Sequence, residues 1–278
     1  VEEEVQMSVD LTIVLLSLNP DKWQGVYDNI ETAIGNHTWE LLVIGPKEGK
    51  VTTRNGKFKY LYDTGHICHC FQRGLLHASG EYLITHAEDG IYLPNALSHP
   101  FDADLILCKY TEGYPDLNDS RWREPERAKI VPYCRGAVGL NPLMLDNEHW
   151  MLGFHSVNSQ YVPGHWWQVS SAILKKDCTI EIGGWDVKTF EISHFSNLDL
   201  GIRFQRKGLK CKCWPHIVTA YGYEPGGASH SVIEDAREEN DKPNYWKIYN
   251  DPACVNRTDI PIQPESYLPG EPWKRRYK

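Results

Sequence analysis

Residues 80–97 read GEYLITHAEDGIYLPNAL. The run from Tyr82 to Thr85 is apolar and β-rich, as expected of a strand buried on both faces. It delivers His86, Glu88 and Asp89 together into a turn, and Pro94 is placed to open a short helix. Hard divalent cations prefer carboxylate oxygens, so two acids at a strand end can hold Mg²⁺ or Mn²⁺ and leave positions open for diphosphate oxygens. His86 is compatible with Mn²⁺. The plainer alternative, acids solvated in a turn, stays open at this level.

Upstream the pattern repeats. Leu11 to Leu16 (LTIVLL) reads as a first buried strand that ends at Ser17-Leu18-Asn19-Pro20. Trp23, Val26, Tyr27, Ile30 and Ile34 recur at helical spacing up to Gly35-Asn36. Strands are expected at Trp39–Ile44, closed by Gly45-Pro46, and at Phe58–Tyr62, with a helix from about His66 to His77. Strands alternating with helices imply an α/β fold with a mainly parallel sheet, and such sheets bind ligands beyond the carboxyl ends of their strands. The site should therefore be built from Ser17 to Asn19, from Gly45 onward, and from His86 to Gly90.

The chain has 278 residues, net charge -8 and eight cysteines. That length fits one large α/β domain. The acidic balance argues against a surface built for nucleic-acid phosphates, which demands clustered Lys and Arg; a nucleic-acid partner is unsupported, though a local basic groove is compatible with the composition. No apolar run is long enough to cross a bilayer, and the start VEEEVQMSVD lacks a signal-peptide layout, so a cytoplasmic protein with reduced thiols is expected. Sequons at Asn36, Asn118 and Asn256 leave a lumenal location open.

A second informative stretch runs from Ile182 to Gly208, IGGWDVKTFEISHFSNLDLGIRFQRKG. Ser196 is expected to start a helix that stops at Gly208 after Arg206-Lys207. Asp199 then falls in the first turn, either as a general base or as the acid of a capping box with Ser196. Asp186 and His194 are further polar candidates. Trp166 and Trp167, just before a strand expected at Val169–Leu174, can offer a sugar-stacking face or simply pack in the core. The HICHC cluster of His66, Cys68, His69 and Cys70 lacks the second pair of a zinc finger. Cys211 and Cys213 alternate with lysines, as on a strand with one buried face. The polar stretch Tyr110–Glu126 reads as a long loop, and residues 261–278 as an extended tail.

In order and spacing, TIVLLSLN, CFQRGLLHASGEYLITHAEDGIYLPNAL, SSAILKKDCTIEIGGWDVKTF and SNLDLGIRFQRKG resemble the family 2 glycosyltransferases and their GT-A relatives. The resemblance covers about Thr12 to Gly208. It implies a Rossmann-like GT-A domain over residues 1–260, with a donor half of about 1–100 and an acceptor half of about 101–260. It further implies metal-assisted, inverting transfer of a hexose from a nucleoside-diphosphate sugar to an acceptor hydroxyl. Carried over by position, Ser17, Asn19, Gln72, His86 and Glu88 contact the nucleotide sugar. Glu88 and Asp89 hold the metal, and His230 stands roughly where these enzymes place a late histidine ligand. The departures are His86 for the first acid of the DXD motif, Gly45-Pro46 for an acidic pair, Gln72 for a common asparagine, and Ser196-Asn197 for a Glu-Asp pair whose aspartate acts as base. With Asn197 at that position, the base falls to Asp199, Asp186 or His194, and a GT-A domain that only binds a nucleotide sugar or glycan is the alternative.

Overall fold

A computed structural model describes residues 8–112, 169, 171–221, 235–249 and 257–263. Eight strands form one sheet: β1 Val9–Leu16, β2 Trp39–Gly45, β3 Lys57–Tyr62, β4 Gly80–Ala87, β5 Gly90–Tyr92, β6 Leu105–Glu112, β7 Ala172–Lys175 and β8 Cys211–Tyr221. Their order across the sheet is β3-β2-β1-β4-β7-β6-β8-β5. The first four strands in that order run parallel, and β7 lies antiparallel to both β4 and β6. β6 and β8 are parallel, and β5 closes the far edge antiparallel to β8. The sheet is mixed and mainly parallel.

The apolar runs form central strands because both faces of the sheet are covered. Along β1, Leu11, Ile13 and Leu15 point to the face of α1 (Trp23–Ala33), where they meet Trp23, Tyr27 and Ile30. Val14 points the other way, toward α2 (Ile67–His77) and the long helix α4 (Ser193–Lys207), among Phe71, Leu75, Leu198 and Phe204. This period-two alternation explains why LTIVLL is apolar throughout. Burying such side chains on both faces contributes about 1.5–3 kcal/mol for each large aliphatic residue. α2 lies close against the sheet because Gly74 faces Val14: a Cβ there would come within 2.4 Å of Val14 Cγ1.

Three elements differ from their sequence expectation. After Pro94 the chain makes turns, not a helix, and Asn95 adopts φ 58° while its N–H is donated to Thr32 O. A loop was expected from Tyr110, yet β6 continues to Glu112, because its pairing with β8 sustains it. The strand expected at Val169–Leu174 begins only at Ala172, and a short helix α3 (Lys176–Glu181) follows it. A π turn over Arg237–Asp241 leads into α5 (Lys242–Tyr249), the last helix of the described residues. No helix among the described residues is long and apolar enough to cross a membrane.

Candidate functional site

The register sets Leu16 level with Ile44 of β2 and Ala87 of β4, so β1, β2 and β4 end together. Ser17-Leu18-Asn19 and Ala87-Glu88-Asp89 therefore emerge side by side. Glu88 joins them: its Oε2 accepts from Ser17 Oγ at 2.6 Å and from the backbone N–H groups of Leu18 and Asn19, each at 3.1 Å. Ser17 Oγ in turn accepts from Trp23 Nε1 at 2.6 Å, which ties the loop to the first residue of α1. Asn19 Oδ1 accepts from Asp21 N and caps the short 3-10 turn Pro20–Lys22. Gly45 completes the floor, since a Cβ there would sit 2.0 Å from Ser17 O. Only glycine lets β2 approach this closely.

Glu88 is half-buried, Asp89 is exposed, and the second oxygen of Glu88 has no hydrogen-bond partner among the described residues. Together they offer hard carboxylate oxygens at a strand end, a donor set that fits Mn²⁺ or Mg²⁺.

His86, expected at the nucleotide or as a Mn²⁺ ligand, is packed into the turn. It is buried, its Nε2 donates to Gly90 O at 3.0 Å, and its ring stacks on Tyr92 with centroids 4.3 Å apart. Burial pushes its pKa down to about 4, so the ring is neutral at ordinary pH. Gln72, also expected near the nucleotide, is held by backbone groups. It is buried, its Oε1 accepts from Trp185 N at 2.9 Å, and its Nε2 donates to Gln263 O at 3.3 Å. It clamps the Gly183-Gly184 turn to the chain's C-terminal segment.

Asp199 and Asp186 lie in a closed cluster of charges. Helix α4 starts at Ser193, three residues before the expected Ser196, so Asp199 sits in the second turn and not the first. The capping-box reading fails with it: Ser196 Oγ donates back to Ile192 O at 2.7 Å. The acid that serves the start of α4 is Asp241, 0% exposed, which accepts from Glu191 N at 2.8 Å and Ile192 N at 2.9 Å. Burial pushes the Asp241 carboxyl up to about 7 against these hydrogen bonds.

Asp199 is 0% exposed. Its Oδ2 accepts from Arg203 Nε at 2.9 Å and its Oδ1 from Tyr249 Oη at 2.6 Å, with Arg257 Nε 3.4 Å away. Arg203 also donates to Ile182 O at 2.6 Å and Gly184 O at 2.5 Å. Arg257 Nη2 reaches Asp186 Oδ2 at 2.6 Å. Two carboxylates thus face two guanidinium groups, as buried charges must. A base needs an open lone pair directed at the acceptor hydroxyl; here both acids are enclosed and their charges matched. Asn197, at the position of the usual base, has its Oδ1 held by Trp185 Nε1 at 2.9 Å. His194 falls in the first turn of α4, but its side chain is outside the described residues, as are His230, Trp166 and Trp167.

One residue went unnoticed in the sequence. Asp63, just beyond β3, accepts from Gly65 N at 2.5 Å and from Arg73 Nη1 at 2.7 Å. Its place after a parallel strand was the available signal.

No protein-family model matches the sequence, and no curated protein does. Solved structures do match. GalNAc-T7 with UDP, GalNAc and Mn²⁺ superposes at TM-score 0.51 and 10% identity, over 80% of this chain and 45% of that one. The fold is of the GT-A type. A mannosyltransferase of Pyrobaculum calidifontis in complex with GDP-Man and Mn²⁺ gives TM-score 0.45 and 14% identity, over 86% and 68% of the two chains. TarS 1-349 of S. aureus in complex with UDP gives 0.43 and 11%, over 78% and 61%. The chain thus spans less than half of the GalNAc-T7 chain and about three fifths of the TarS chain. In GT-A terms, the Ser17–Asn19 loop and the Glu88-Asp89 turn occupy the carboxyl edge of the parallel half of the sheet.

Proposed function

We propose that this GT-A domain binds a nucleoside-diphosphate sugar at the carboxyl edge of β1, β2 and β4 and transfers its hexose to an acceptor hydroxyl. The observation that carries the reading is the Glu88 tie. A single carboxylate oxygen fixes the loop after β1 beside the turn after β4. The other oxygen of Glu88 has no hydrogen-bond partner among the described residues, and the neighbouring Asp89 is exposed. That arrangement joins a nucleotide-facing loop to a cation-binding turn in one rigid unit. The fold is shared with GalNAc-T7, whose structure holds UDP, GalNAc and Mn²⁺.

Glu88 and Asp89 would hold Mn²⁺ or Mg²⁺, which supplies positive charge against the departing diphosphate. Ser17 and Asn19 position the donor through the same loop, and His86 keeps the turn in shape from beneath. His230 as a further metal ligand, Trp166 and Trp167 as the acceptor face, and inversion at the anomeric carbon belong to this proposal. Residues 1–100 are taken as the donor half and 101–260 as the acceptor half, although strands of both build one sheet. The enclosed ion pairs of Asp186 and Asp199 speak against either as the base, which leaves His194 from the original set.

A second reading, a GT-A domain that binds a nucleotide sugar or glycan without turnover, draws on Asn197 and its bond to Trp185 Nε1. A panel of UDP and GDP sugars, with and without Mn²⁺, separates the two. Release of nucleoside diphosphate that requires Mn²⁺ supports the transferase. Saturable binding with no hydrolysis or transfer, across acceptors that include simple glycosides, would establish the binder.

A further inference from the structure

The chain between β3 and α2 gathers three unlike side chains. Asp63 follows the last residue of β3, and His69 and Cys70 lie in the first turn of α2, with His66 as its N-cap accepting from His69 N at 3.1 Å. All three are buried. One ligating atom from each, a carboxylate oxygen, a ring nitrogen and the thiol sulfur, lies within 4.8 Å of the others. His69 Nδ1 stands 3.5 Å from Asp63 Oδ2, at the outer limit for a hydrogen bond. It is close to the separation of about 3.3 Å that two such atoms have on one tetrahedral zinc with bonds of about 2.0–2.1 Å.

Gly65 makes the cluster sterically accessible. A Cβ there would meet His69 Nδ1 at 2.5 Å and Asp63 Oδ1 at 2.8 Å, so any other residue would drive the ring and the carboxylate apart. Among the described residues, the Cys70 thiol has Gly65 O, at 3.7 Å, as its hydrogen-bond acceptor. Arg73 Nη1, which neutralises Asp63, also donates to Tyr62 O at 2.6 Å and keeps that anchor if the carboxylate turns to a metal.

We propose that Asp63, His69 and Cys70 bind a thiophilic divalent cation of the zinc type, at a site separate from the Glu88-Asp89 turn. The donor set selects the metal: thiolate and imidazole suit Zn²⁺ and Co²⁺, whereas Mg²⁺ and Mn²⁺ prefer oxygen ligands. Burial and the neighbouring Asp63 carboxylate push the Cys70 thiol well above its ordinary pKa, so metal entry releases its proton to solvent. Three protein ligands leave a fourth position open. A bound ion would pin the β3–α2 connection beside the carboxyl edge of the sheet.

The test uses the whole chain, stripped with a chelator and titrated with Co²⁺. One equivalent should bind, with the near-ultraviolet thiolate-to-cobalt charge-transfer band and tetrahedral visible bands, and Zn²⁺ should displace it. Cys70→Ser and Cys70→Ala, each checked for folding by circular dichroism, should lose the charge-transfer band, whereas Cys68→Ser should retain it. Asp63→Asn should weaken Co²⁺ by about tenfold or more, since it replaces a charged ligand by a neutral one. Wild-type protein that binds no Co²⁺ or Zn²⁺ at micromolar concentration would overturn the proposal, and so would a Cys70 variant that keeps the band.

Discussion

Glu88 and Asp199 are both acids close to the expected catalytic centre, and they differ in what they accept hydrogen bonds from. Glu88 takes a serine hydroxyl and two backbone N–H groups, all neutral donors, through one oxygen. Asp199 takes a guanidinium and a phenol, with a second guanidinium at 3.4 Å, and has no exposure. Neutral donors leave the carboxylate of Glu88 its negative charge to offer a cation. Guanidinium partners cancel the charge of Asp199 and enclose it. The Tyr249 hydroxyl, held by Asp199 and pushed well above its usual pKa by burial, stays protonated and adds to the closure. Sequence position near a motif is thus a poor guide to catalytic role, because charge balance decides which carboxylate remains available.

The largest effect is expected where the balance is closed. Asp199→Ala would leave Arg203 buried without its counter-charge and should cost about 3–5 kcal/mol, read as a lower denaturant midpoint. A variant of full stability that had lost only transfer would reverse the comparison and restore Asp199 as the base.

At the open acids the effect should fall on binding. Glu88→Gln and Asp89→Asn should each weaken UDP or GDP in Mn²⁺ by tenfold or more, about 1.4 kcal/mol, with little change in chelator. Calorimetry giving equal affinities with and without Mn²⁺, in wild type and both variants, would remove the metal from the donor site.

A smaller, pH-dependent effect sharpens the contrast between buried acids. The pKa of Asp241 is raised in the fold, so the native state keeps a proton that the unfolded chain has already lost. Its contribution is complete below about pH 4 and is lost as the pH rises through about 7, which amounts to about 1 kcal/mol between pH 6 and 8. Asp63 runs the other way. The nearby His69 ring and the hydrogen bonds from Arg73 and Gly65 outweigh burial and hold its pKa at about 2, so its contribution is present above about pH 4 and is lost as the pH falls through 2. Urea melts at pH 6 and pH 8 should show the first slope, and Asp241→Asn should flatten it. A slope unchanged in that variant would place the titration on another group.

Much of the fold was written locally. The continuous apolar strands, the Pro20 and Gly208 punctuation and the acids after β4 are short-range patterns, and they place the carboxyl edge of the sheet where Ser17 and Glu88 meet. The positions of β1, β2, β3 and α2 could be read to within a residue or two, because strand and helix periodicity are properties of neighbouring side chains. The start of α4 could not, because the N–H groups of Glu191 and Ile192 just before it are held by Asp241, some fifty residues away.

The same separation decided the site. Arg257 lies 71 residues from Asp186 and Tyr249 lies 50 from Asp199, and nothing in the local text around either acid signals these distant partners. Glu88 is bonded to a loop seventy residues earlier. The sequence by itself determined which residues could carry charge, metal or proton, through their types and their places at strand ends. Apart from Arg203, the i,i+4 partner of Asp199 on α4, tertiary structure decided which of them were neutralised, because pairing depends on atoms brought together through the fold, and a buried charge must find its partner wherever the packing provides one.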